Sequence, residues 1–257
     1  MSPDITRILQ GWPFEPGQVT ARRIRGEDNR ELIQLRLDLG LLQMEVAGRP
    51  DGQRPHGFES LLEYHEQQLE RYREQHGGEG GFQLDERDCE MLRAEAVMYY
   101  HRYLAEFVLE DYESVERDTR RNLRVMDFCL AHAADAGDRH ALEQFRPYVI
   151  MMCTRARTLM AFRQGHNAEA MECIRTGIEG IRKVYRERGQ PEKESHELSV
   201  LRDMVREIEQ HLPMDPARKL RKALSQAVRE ERYEDAADLR DQLRELTGET
   251  PSPDDTL

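Results

Sequence analysis

Leu220-Arg221-Lys222-Ala223-Leu224-Ser225-Gln226-Ala227-Val228-Arg229-Glu230-Glu231-Arg232-Tyr233-Glu234-Asp235-Ala236-Ala237-Asp238-Leu239-Arg240-Asp241-Gln242-Leu243 is the stretch from which the rest of the chain is read. Leu220, Leu224, Ala227 and Val228 recur at spacings of three and four, so they share one face of a helix. Tyr233, Ala236, Ala237, Leu239, Leu243 and Leu246 do the same for a second helix. The acidic run Glu230 to Asp235 turns the chain between them. Asp215 suits the N-cap, Pro216 the first helical position, and Gly248 the residue that stops the second helix. Two short helices enclose almost no core. Their leftover apolar surface calls for a partner, either residues 85–211 of the same chain or another protein.

That segment resembles the UVR (UvrB/UvrC) motif of bacterial proteins: a leucine-spaced helix, an acidic-aromatic turn, then Ala-Ala-x-Leu-Arg-Asp, here Ala236 to Asp241. In the bacterial excinuclease the motif lies at the end of UvrB, where it docks a similar hairpin in UvrC. It also occurs in Clp-type ATPases and in activators of protein arginine kinases. The resemblance implies a non-enzymatic adaptor that docks a protein partner, or itself, through Leu220, Leu224, Ala227, Val228, Tyr233, Ala236, Ala237, Leu239, Arg240, Asp241 and Leu243. Two alternatives stand beside it: an accessory DNA-binding factor of nucleotide excision repair, and a regulator of a Clp protease or arginine kinase system. Residues 215–247 carry eight acids against eight bases, a neutral balance that disfavours nucleic acid as the hairpin's ligand. Arg218, Lys219, Arg221 and Lys222 crowd the first turns of the helix, where the dipole disfavours cations.

Upstream, residues 85–211 read as helical throughout, with helices expected over 86–109, 112–135, 140–164, 167–188 and 192–211. The joints Leu104 to Val115 and Leu159 to Ala170 look alike, as in a tetratricopeptide-like stack, although they lie 55 residues apart. An irregular bundle fits the pattern equally well. Ahead of them, Val19–Arg25 and Ile33–Val46 carry the β signal. The second run alternates with period two until the phase slips at Gly40, which a β-bulge or a kink between two strands would accommodate. Residues 1–16 form a short helical piece, with Ile5, Ile8 and Leu9 on one face and Trp12 as an anchor to the core. A helix is expected from Phe58 to Gln75.

The fold class is therefore mainly α: a helical hairpin stack with a small N-terminal β-hairpin module and a C-terminal antiparallel helical hairpin. The expected organisation is a β-hairpin plus helix module (1–76), a glycine-rich linker (77–84), the helical domain (85–212), the hairpin (213–248) and a disordered polar tail (249–257).

The Pro/Gly loop 47–57 is a second candidate site. Arg49, Asp51, Arg54 and His56 sit there on a stiff frame, as binding loops are built. The loop alone would carry an enzymatic reading; pairing of Arg49 and Arg54 with carboxylates is the structural one. Phosphate-loop, dinucleotide, zinc-protease and hydrolase motifs are absent. So are the C-x-x-C pairs of the arginine-kinase activators. No catalytic residue, cofactor or metal is expected. The chain's 50 acids against 38 bases give a net charge of −12, which repels nucleic acid and anionic membranes. A DNA-binding stripe would have to come from Arg22, Arg23, Arg25, Arg36, Arg49 and Arg54. Cys89, Cys129, Cys153 and Cys173 read as free buried thiols of a reducing compartment. With no leader-like start and no apolar run of about 20 residues, the expected location is the cytoplasm, away from any membrane.

Overall fold

A computed structural model describes residues 4–191, 195–211, 216–230 and 232–247. It divides into two compact units, Met1–Val205 and Arg206–Leu257. Asp215, Gly248 and the tail 249–257, each given a role from sequence, lie outside the described residues.

The first unit opens with α1 (Thr6–Leu9) and an antiparallel sheet of β1 (Ala21–Arg25), β2 (Glu31–Arg36) and β3 (Leu41–Glu45), in the order β1-β2-β3. The phase slip at Gly40 is a chain reversal, not a bulge in one long strand. Leu37 and Gly40 exchange backbone hydrogen bonds (2.9 and 3.4 Å), leaving Asp38-Leu39 as the loop, with Leu39 89% exposed. The reversal pairs Ile33 with Met44 and Leu35 with Leu42. Both apolar sets therefore end on one face, against Ala105 and Leu109. The alternation could not tell a bulge from a turn, because both restore the same face.

On the sheet's other face the N-terminal segment is held by arginines. The Arg22 guanidinium lies 4.2 Å from the Trp12 ring and donates to the Ile8 carbonyl (3.1 Å); Arg36 donates to the Trp12 carbonyl (3.0 Å). Trp12 is half-buried there, so its anchor is cation–π contact rather than the core.

The helices are α2 (Leu61–His76), α3 (Glu86–Val108), α4 (Tyr112–His132), α5 (Ala136–Ala141), α6 (Arg146–Arg163), α7 (Asn167–Glu187) and α8 (His196–His211). Their starts follow local chemistry. Ser60 caps α2 by accepting from the Glu63 N–H (3.3 Å), and Asp85 and Asp88 form a reciprocal capping box on α3. α4 stops three residues before its expected end. The Leu84 N–H donates to the His132 carbonyl (2.8 Å) and the Ala134 N–H to the Leu84 carbonyl (3.0 Å), drawing the chain into an isolated bridge. The helix expected from 140 begins at Arg146, with Pro147 in its first turn. The described part of α8 begins at His196, where the Ser195 hydroxyl accepts from the Leu198 N–H (3.2 Å).

The two similar joints share one geometry. Glu110 (φ 59) and Gly165 (φ 76) both sit in the left-handed region. The next N–H reaches back to Glu106 (3.0 Å) in one joint and to Ala161 (2.9 Å) in the other. The resulting hairpins α3–α4 and α6–α7 pack against each other through α4 and α6. Leu62, Leu69, Cys89, Leu92, Val125, Cys129 and Val149 fill the core that joins α2, α3, α4 and α6. The glycine-rich segment 77–84 falls inside this unit.

In the second unit, α9 (Pro216–Arg229) and α10 (Tyr233–Thr247) form the C-terminal antiparallel hairpin.

Candidate functional site

Among the described side chains of the α9–α10 hairpin, the buried ones are alanines. Ala227 is fully buried and Ala236 nearly so. A side chain of one carbon lets the helices approach, and the Arg232 N–H donates back to the Ala227 carbonyl (2.8 Å). The Arg232 side chain then straps the turn, reaching Glu230 (2.9 Å) and Asp235 (2.6 Å). Leu220, Leu224, Leu239 and Leu243 are half-buried along the seam. Val228, Tyr233 and Leu246 stay 48%, 68% and 52% exposed. Ala237, Arg240 and Asp241 are also exposed. The candidate residues thus split into a set that closes the hairpin and a set left on its outside. The side chains of Arg218, Lys219, Arg221 and Lys222 lie outside the described ones.

The Pro/Gly loop has a different character. Arg49 turns inward: its Nε lies 3.2 Å from Asp51 and 3.4 Å from Glu95, a fully buried carboxylate on α3. Glu95 also accepts from the Leu61 N–H (2.9 Å) at the start of α2 and from Arg121 of α4. Arg102 donates to the carbonyls of Glu45 (3.0 Å) and Gly48 (2.8 Å). These bonds pin the loop to α3. Arg54 is exposed and His56 stacks on Tyr64, with ring centroids 4.1 Å apart. Of the four loop candidates, only Arg49 and Asp51 meet.

The arginines proposed as a DNA stripe are dispersed onto local partners. Arg23 pairs with Glu31 and Asp111, Arg25 with Asn29, and Arg22 and Arg36 clamp the N-terminal segment.

A buried ionic cluster joins α3 and α4. Arg102 makes a two-pronged contact with Asp118 (2.6 and 2.8 Å). Glu106, also sealed from solvent, accepts from Arg117 (2.9 Å) through Oε1, while Oε2 has no hydrogen-bond partner. Burial and then the neighbouring Asp118 push the Glu106 carboxyl up to about 8. Arg121 stacks on Tyr99 at 4.0 Å. Sequence reasoning missed this cluster. Its legible signal was Arg117, Arg120, Arg121 and Arg124, spaced to share one face of a helix.

Among the described residues, no group of three or more His, Cys, Asp or Glu side chains could hold a metal ion, and no helix is long and apolar enough to cross a membrane. All four cysteines are buried and free.

No curated protein and no solved structure matches the chain. Residues 216–247 match the family model UVR, the UvrB/uvrC motif, so the α9–α10 hairpin is a UVR motif.

Proposed function

We propose that this chain is a non-enzymatic adaptor that docks a protein partner through the outer side of its UVR hairpin. The observation that carries the reading is the set of large apolar side chains left outside a hairpin already closed by its alanines: Val228 at 48%, Tyr233 at 68% and Leu246 at 52% exposure. Exposed aromatic and apolar side chains of this kind suit a protein interface. The balanced charge of 215–247 favours a protein over a nucleic-acid ligand. Residues 1–205 then act as the body that the hairpin tethers, in the cytoplasm.

Affinity capture with the full chain tests this, comparing wild type with Tyr233→Asp/Leu246→Asp. The reading requires at least one protein retained by the wild type and lost from the variant, with circular dichroism unchanged. Identical retention by the two proteins refutes it.

A further inference from the structure

The face of α4 that carries Arg117, Arg120, Arg121 and Arg124 borders a cleft of about 430 Å³. The start of α2 forms its second wall, and Tyr99 and Arg102 of α3 its floor. Five arginines line it against three carboxylates, in a chain whose overall charge is −12. This local excess of positive charge opposes the molecule's general field.

Arg121 is the most deeply buried cation on this face of α4. Its side chain is nine-tenths buried, with one end on Glu95 and Asn122, and its Nε has no hydrogen-bond partner. Burial, with Arg124 and Arg49 nearby, pushes its guanidinium down to about 9. A buried cation held at this disadvantage is stabilised by an anion arriving beside it.

The outer arginines are already committed, but weakly. Arg120 pairs with Glu116 and Arg124 with Glu66, and both arginines are more than half exposed. Exposed pairs of this kind contribute little and exchange readily. The negative charge of Asp118 is answered by Arg102 and Arg117. The N–H groups of Leu61 and Leu62 are taken by Glu95, so the donors offered to a ligand are guanidinium groups rather than the end of α2. Several guanidinium forks converging from one helix match the oxygens of a phosphate better than a flat carboxylate. The volume is that of a small-molecule site.

We propose that this cleft binds a small phosphate-bearing molecule, with Arg120 and Arg124 gripping the phosphate oxygens and Arg121 fixed as positive charge behind them.

Calorimetric titration of the full chain with inorganic pyrophosphate, against chloride at matched ionic strength, tests the proposal. Saturable binding is expected for wild type, weakened about tenfold or more in Arg120→Ala/Arg124→Ala. Both side chains are exposed, so the unliganded melting temperature should stay near that of wild type. A control, Arg175→Ala/Arg186→Ala on α7, removes the same charge elsewhere and should bind as wild type does. Absence of saturable binding overturns the proposal. So does equal weakening in both variants, which would mean general charge rather than a site. Either result leaves the hairpin reading untouched.

Discussion

Arg102 and Asp118 face each other across α3 and α4 with both side chains about 1% exposed, joined at 2.6 and 2.8 Å. The same guanidinium holds the loop after β3 through the carbonyls of Glu45 and Gly48. One buried cation therefore ties the sheet, α3 and α4 together. Removing Arg102 leaves the buried Asp118 carboxylate with only the more exposed Arg117 (2.8 Å) and frees the two loop carbonyls of their donor. Arg102→Met is expected to destabilise by about 3–5 kcal/mol in urea unfolding. Arg102→Met/Asp118→Leu should cost clearly less than the two single changes summed, because no unpaired charge remains at that position.

Glu106 makes stability depend on pH. Its folded carboxyl titrates at about 8 against an ordinary 4.5. Between those values the folded chain holds a proton that the unfolded chain has released, so stability falls as pH rises from about 5 to about 8. Glu106→Gln should flatten that decline in thermal melts across the same window. An unchanged slope would place the titration elsewhere.

Gly177 marks where α7 crosses α6. A Cβ there would come within 2.1 Å of the Thr154 Oγ1. Gly177→Ala should destabilise by about 1–3 kcal/mol despite the better helix propensity of alanine. Thr154→Ala in the same chain should recover only part of that loss, as read by chemical denaturation, because the Cβ that alanine keeps would still lie 2.8 Å from the new one.

Within the UVR hairpin, the buried and exposed residues should separate experimentally. Ala236→Leu forces a large side chain into a position only 3% exposed. Amides of 216–247 should lose hydrogen-exchange protection as the helices part. Tyr233→Ser should change exchange little, with stability within about 0.5 kcal/mol of wild type.

Burial also governs the thiols, lifting Cys89 to about 11 and Cys129 to about 12. A thiolate-requiring reagent at neutral pH should find all four cysteines slow in the native chain and fast in denaturant.

Some of this was local enough to read from sequence. The spacing of Leu220, Leu224 and Ala227, and of Ala236, Leu239 and Leu243, is a property of one helix face, and it located the hairpin. The paired joints at Glu110 and Gly165 were visible because a helix end is built from consecutive residues. The role of Gly40 was not fixed by its neighbours: a bulge and a reversal leave the same residues on one face, and only pairing of Ile33 with Met44 decides between them. The cleft was hidden for a related reason. The arginine spacing on α4 is in the sequence, but Tyr99 and Arg102 come from another helix and Gly48 from a loop. The sequence by itself determined most of the helices and the UVR hairpin, because those depend on residues three and four apart, whereas the end of α4 and the start of α6 fell elsewhere than expected. Which charges were buried together was decided only by the tertiary structure, because a buried ion pair joins residues that the chain keeps far apart.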